Sequence, residues 1–262
     1  MQSPYAVTAP GGKTRLLVMD RKEGFPSTFA LMATNVANKV AIRLSGGCKG
    51  MGPDDKIAML GYFAEAFAGY RGLIWSGATR QFTPEGGLDP MVTDVPGVVA
   101  EKNPGCVALG SAPRTDVLSL QGESRLVLDQ YGTGPNPSMS GVLIVQNGAD
   151  GKSDWDGDLD AAFGLMDKLM ECAGFLAAGV IAWNGGPITR DEIMRSAKRG
   201  WPTIVVRGSG RASDEIASQL EANDPALVGV LPKGHKLVVA DRSDPATLRN
   251  HLVAFGFLAA GN

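Results

Sequence analysis

"VIAWNGGPITRDEIMRSAKRGWPTIVVRGSGRASDEIA", residues 180–217, reads as strand, turn, helix, strand, turn, helix. Its two apolar runs belong to "AAGVIAW" (177–183) and "PTIVVR" (202–207). They are continuously apolar rather than alternating, as in strands buried on both faces of a parallel sheet. Between them, "TRDEIMRSAKRG" (189–200) is acidic in its first turn and basic late, with Gly200 after it. A helix dipole favours that polarity.

The same alternation extends outward. Further strands are expected at "RLLVM" (15–19), "KVAIRL" (39–44), "GLIWS" (72–76), "GCVALG" (105–110), "GVLIVQ" (141–146) and "KLVVA" (236–240). Helices are expected at 53–70, 155–173, 212–223 and 244–256. The first has an apolar stripe of Ile57, Leu60, Phe63, Ala64 and Phe67; the second has Leu159, Phe163, Met166 and Met170. Such alternation implies right-handed β-α-β units in an α/β fold, a doubly wound, mostly parallel sheet with helices on both faces. Segments 78–104 and 111–140, rich in Gly, Pro and Ser, read as long loops near one edge. A single domain over 1–262 is expected, with residues 1–12 flexible.

Composition narrows the function. The chain has 262 residues, 44% of them hydrophobic and 20% charged, the balance of a soluble globule with a sizeable core. A net charge of −2 gives no electrostatic footprint for nucleic acid or an anionic membrane surface. Cys48, Cys106 and Cys172 are odd in number and widely spaced, which argues against a disulfide framework or a zinc site and for a reducing cytoplasm. The N-terminus shows no signal-peptide pattern, and the longest apolar stretch, "GFLAAGVIAW", is too short to span a bilayer.

The strand ends share a chemistry. "RLSGGCKGMG", "IWSGATRQ", "VALGSAPR", "VQNGADGKS", "AWNGGP" and "VRGSGR" each put glycine beside a small or polar residue where a strand stops. Ligands of doubly wound sheets bind outside the carboxyl ends of the strands. There glycine admits close backbone approach, and the first amides of the next helix lack internal partners. Any one such turn is ordinary. Six of them, with Lys49, Arg80, Arg114, Lys152 and Arg211 nearby, point to a phosphate-bearing ligand.

Named nucleotide motifs fail: Gln146 stands at the first glycine of a Walker loop ending in Gly151-Lys152-Ser153. "GSGRAS" (208–213) has Ser213 at the third glycine of a dinucleotide fingerprint and no acidic residue about twenty positions on. Asp214 either accepts ribose hydroxyls or caps its helix.

Catalytic constellations are missing. His235 and His251 are the two histidines, and His251 reads as a partly buried structural residue. Cys48 beside Lys49 is either a thiolate or a small loop residue. Asp154, Asp156, Asp158 and Asp160, an alternating acidic run, read as a solvated helix start, with a metal or ribose contact as the alternative. Trp75, Trp183 and Trp201 read as core, with Trp75 or Trp183 as alternatives for stacking on a base.

Taken in order, "AIRLSGGCKG", "LIWSGATRQ", "VALGSAPR", "VLIVQNGADGK", "VIAWNGGPIT" and "TIVVRGSGRASDEIA" resemble the SLOG superfamily over about residues 38–217. The resemblance is closest to the N-terminal region of melastatin-type TRP channels and its prokaryotic, LSDAT-type relatives. It implies a Rossmann-like domain that senses an ADP-ribose-like ligand, a cyclic nucleotide or another nucleotide-derived signal, without metal. It further implies a homo-oligomer in the cytoplasm, and an effector or membrane domain in a longer native chain. Carried over position by position, the binding residues are Gly46, Gly47, Lys49, Ser76, Gly77, Thr79, Gly110, Asn147, Gly148, Gly185, Gly186, Gly208, Ser209, Gly210, Arg211 and Asp214.

The Lonely Guy phosphoribohydrolases of the same superfamily use a "PGG-x-GT-x-x-E" motif. "NGADGKSDWDGD" is read as standing in its place here, which turns the expectation toward binding and away from catalysis. The alternative is a nucleotide N-glycosidase using Asp154, Asp156 or Glu123.

Overall fold

The computed structural model describes residues 7–8, 15–20, 27–82, 88–113, 119–121, 125–127, 139–146 and 155–259. The strands are β1 (Val7–Thr8), β2 (Arg15–Asp20), β3 (Val40–Gly47), β4 (Leu73–Gly77), β5 (Gln81–Phe82), β6 (Leu88–Asp89) and β7 (Val107–Pro113). They continue with β8 (Ser119–Gln121), β9 (Arg125–Val127), β10 (Gly141–Gln146), β11 (Ala177–Asn184), β12 (Thr203–Arg207) and β13 (Leu237–Asp241). The helices are α1 (Ser27–Thr34), α2 (Pro53–Ala66), α3 (Val95–Lys102), α4 (Trp155–Cys172), α5 (Pro187–Lys198), α6 (Arg211–Glu221), α7 (Pro225–Val228) and α8 (Pro245–Ala254).

Nine strands form one sheet in the order β1-β2-β10-β7-β4-β3-β11-β12-β13. All neighbours pair in parallel except β1, which runs antiparallel to β2. The fold is the expected α/β, Rossmann-like, doubly wound sheet. From β3 the chain steps outward through β4, β7 and β10, then returns to lay β11 on the other side of β3. The strand order therefore reverses between β3 and β11.

Alternate residues of each strand serve opposite faces of the sheet, as the pleat requires. Ile42, Leu44, Ile74 and Ile181 pack with α2, α3 and α8. Ala41, Leu73, Trp75 and Val180 pack with α1 and α4. Farther along that face, Ala182 and Val205 meet Ile193 of α5 and Ile216 of α6. β7 is buried along its whole length, which accounts for its mostly apolar sequence, and its one polar side chain, Ser111, accepts from Trp75 Nε1 at 3.0 Å.

Trp183 packs 5.3 Å, centroid to centroid, from both Tyr62 and Phe63, and Trp75 stands edge-on to Phe29 at 5.2 Å. Both indoles lie in the core clusters, so the base-stacking alternative for them is set aside.

Three expectations are corrected. Of the stripe expected on α2, Phe63, Ala64 and Phe67 are buried, but Lys56, Met59, Tyr62 and Ala66 share that face and Ile57 is 62% exposed. Lys56 can lie on the buried face because its ammonium donates to both oxygens of Asp89, at 2.7 and 2.6 Å. The described residues of segment 78–104 are not one loop: they hold the antiparallel β5–β6 pair, a 3-10 turn (Val92–Asp94) and α3. "VPGVVAEK" is a poor intrinsic helix former. It is helical because Val95 and Val99 enter the core, a tertiary effect. Of the described residues in 111–140, β7 extends to Pro113 and β8 pairs antiparallel with β9.

Replacing Phe63 by Ala empties a fully buried site against Trp183, Tyr62 and Phe67. Urea denaturation is expected to show a loss of about 3–5 kcal/mol; a loss below about 1 kcal/mol would show that the cluster collapses around the gap.

Candidate functional site

A crevice opens where the strand order reverses, because the connections leaving β3 and β11 diverge to opposite sides. Here it is a cleft of about 330 Å³. β3 and β11 stay paired to their ends, with Trp183 opposite Gly46 and Asn184 opposite Gly47. A Cβ on residue 46 would lie 2.1 Å from the Trp183 carbonyl oxygen, so only glycine lets the strands meet there. Gly185 has φ +79°, and a Cβ on it would lie 2.1 Å from Thr189 Oγ1 at the start of α5.

Of the residues expected from sequence, Gly46, Gly47, Ser76, Gly77, Thr79, Gly185, Gly186 and Arg211 line this cleft. Arg211 lies against the second glycine pair: a Cβ on Gly186 would sit 2.8 Å from its Nη2. Asn147 and Gly148 lie outside the described residues, as do Arg114, Lys152, Asp154 and Glu123.

The remaining expectations fall elsewhere. Lys49 is exposed and contributes its backbone carbonyl, which accepts from Asn184 Nδ2 at 3.2 Å. Gly110 is buried in β7, where a Cβ would meet Met139 Sδ at 2.4 Å, so its lack of a side chain serves packing. Arg80 pairs with Asp94.

Gly208, Ser209, Gly210 and Asp214 form a turn that satisfies itself. The Gly208 amide donates to Asp214 Oδ1 at 2.7 Å, and the Gly208 carbonyl accepts from Arg242 Nη1 at 3.3 Å. Ser209 Oγ donates to the Val206 carbonyl and accepts from the Asn184 amide at 2.8 Å. Asp214 therefore serves as a cap of its own turn. Of this turn and the helix it opens, Arg211 is the residue that reaches the cleft. Arg211 takes φ +44° and Asn184 φ +54°. Both are left-handed non-glycine residues, at the start of α6 and the end of β11, and such conformations cluster where function demands them.

The floor of the cleft brings together Asp158, read from sequence as part of a solvated helix start, and three residues that the sequence did not single out. Arg43 and Ser45 of β3, two apart, point to the same face of the sheet; Asp158 comes from α4 and Glu192 from α5. All four are buried, at 5%, 2%, 3% and 2% exposure respectively. Arg43 donates from Nε and Nη2 to Glu192 Oε1 at 3.0 and 2.7 Å. Asp158, expected on a solvated face, is instead drawn inside, where the Arg43 charge attracts it. The neighbouring Asp160 pairs with Arg195 at 2.6 Å.

Burial pushes both carboxyls up; Arg43 opposes it at each, and a Ser111 hydrogen bond opposes it at Asp158. Met91, Val92, Leu159 and Ile188 supply apolar wall. Cys48 is buried, and burial pushes its thiol up, which removes the thiolate reading. Among the described residues, no group of three or more His, Cys, Asp or Glu side chains is placed to hold a metal ion.

Those titrations have a sign. A carboxyl whose pKa is raised by folding weakens the fold as pH climbs from its unfolded value, about 3.9 for Asp, to the raised one. Asp158→Asn cannot ionise. It is expected to match the wild type below about pH 4 and to be the more stable protein at neutral pH. Thermal melts across that range check this, and a less stable variant at neutral pH would mean that attraction to Arg43 outweighs burial.

Residues 97–250 match the family described as "SLOG in TRPM, prokaryote". Two solved structures are similar at 16% identity, each over 83% of this chain. They are the X-ray structure of TM1055, a structural genomics target (99% of that chain, TM-score 0.47), and the molybdenum cofactor carrier protein MCP from Chlamydomonas reinhardtii (98%, TM-score 0.45). No curated protein matches the chain in sequence. No helix among the described residues is long and apolar enough to cross a membrane. With more than half its length matched, the chain belongs to the prokaryotic family of the SLOG domain found in TRPM.

Proposed function

We propose that this domain senses a nucleotide-derived, phosphate-bearing ligand of the ADP-ribose kind in the β3/β11 cleft and passes its occupancy to an effector or membrane partner. One observation carries the reading: three glycine turns from different strands and the Arg211 guanidinium converge on one cleft. Arg211 offers charge-assisted hydrogen bonds to a phosphate, and the first amides of α5, unpaired within the helix, stand beside it. The walls of Met91 and Ile188 suit an apolar ring face.

Thermal shift and calorimetry with ADP-ribose, cyclic nucleotides and NAD test this. A ligand that binds only the folded state raises stability by RT ln(1 + [L]/Kd). Flat melting curves across the panel at millimolar ligand would refute it. Arg211→Ala is expected to weaken binding by about 1.5–3 kcal/mol, the contribution of one charge-assisted contact, with the fold intact. Unchanged affinity would remove Arg211 from the site.

A second reading, N-glycoside hydrolysis, is favoured by one specific observation. Among the described residues, the carboxylates in the cleft are Asp158 and Glu192, and the spacing G-G-x-x-T-x-x-E recurs at Gly185, Gly186, Thr189 and Glu192. The hydrolase motif thus has its counterpart at 184–192, with Asn184 for its proline and Ile188 for its third glycine, rather than at 147–158. Two carboxyl groups are what activation of water and stabilisation of an oxocarbenium-like transition state require. Incubation with nucleoside monophosphates, NAD and ADP-ribose separates the readings: free base identifies a hydrolase, and binding without release identifies a sensor.

A further inference from the structure

The cleft floor holds polar atoms that the rest of the chain leaves unanswered. Among the described residues, Arg43 Nη1, Ser45 Oγ and Asp158 Oδ1 are buried without a hydrogen-bond partner. Each belongs to a side chain more than nine-tenths buried, and all three side chains line the same cleft. Unpaired groups of this kind are costly to bury, and each defines what an occupant must bring. Arg43 needs an acceptor, the ionised Asp158 a donor, and Ser45 takes either.

A phosphate brings acceptors alone and would face two carboxylates balanced by one arginine. A heterocyclic base carries donors and acceptors on its edge but has two apolar faces to cover, and for those the cleft offers the walls of Met91 and Ile188 rather than its charged floor. A hydroxyl donates and accepts at once, and a cis-diol offers two of them side by side. The cation suited to phosphate, Arg211, stands at the Gly186 turn rather than against Glu192.

We propose that Arg43, Ser45 and Asp158 form a subsite for the cis-diol of a pentose, with the sugar facing inward and its 5-phosphate outward toward Arg211. The domain then selects ribosyl over 2-deoxyribosyl phosphates. This rests on the phosphate-binding reading above and adds the class of sugar. Arg43 is held for the task by Glu192, which occupies Nε and Nη2 and leaves Nη1 to the ligand.

Calorimetric titration of the full chain with ribose 5-phosphate, 2-deoxyribose 5-phosphate, inorganic phosphate, AMP and 2′-deoxy-AMP tests it. The ribo member of each pair is expected to bind about 10- to 100-fold tighter, the range of one hydrogen bond to a charged group. Asp158→Asn and Ser45→Ala are each expected to move that ratio toward one. Should Asp158→Asn fail to fold, the smaller Ser45→Ala change carries the test. Equal affinity for ribo and deoxyribo partners overturns the diol subsite while the phosphate reading stands. Binding of none of the five overturns both.

Discussion

The missing Cβ of Gly46 is the contact on which the site depends. With 2.1 Å between the place a Cβ would take and the Trp183 carbonyl oxygen, any side chain there would push β3 and β11 apart at their carboxyl ends. Those are the two strands between which the winding of the sheet reverses. Their close pairing holds Gly47 and Asn184 side by side, and Asn184 in turn is tied to the Ser209 and Ser213 hydroxyls and to the Lys49 carbonyl. Three turns are locked together through one asparagine, with little freedom left for their relative positions.

On that frame sits an ionic floor whose placement works against stability. Moving carboxylates and a guanidinium out of water is expensive, and even a good ion pair offsets it only in part. The Arg43–Glu192 pair is well formed, yet Asp158 adds a second carboxylate against the same cation. Apolar residues of similar volume would pack here at less cost. Keeping an excess of buried acceptors and a partly unpaired arginine on the floor of a crevice is the pattern of a site organised for an occupant, where stability is traded for binding.

The Gly208–Gly210 turn illustrates how a motif can resemble one device and act as another. Its glycines suit a phosphate cradle, but its own amide and carbonyl are taken by Asp214 and Arg242. What the turn delivers is the next residue: Arg211, in a left-handed conformation, with its guanidinium across the turn of the neighbouring strand.

Strand and helix alternation, the parallel class of the sheet and the glycine-tipped strand ends were legible in the sequence, because apolar runs, helix polarity and turn residues are local properties. The family resemblance rested on the same ordered turns. Local pattern could not say which turns share a cleft: Gly46, Gly77 and Gly185 do, whereas Gly110 and Gly208 do not. Nor could it find the floor. Arg43 and Glu192 are 149 residues apart, and Asp158 looked like one more aspartate of a solvated helix start. A charged side chain is buried only where a distant partner stabilises it, so its role is decided by contacts that exist once the sheet has formed. Sequence alone determined the scaffold and the chemistry available at its strand ends; tertiary structure decided which charges face the crevice, because burial and pairing belong to the assembled fold.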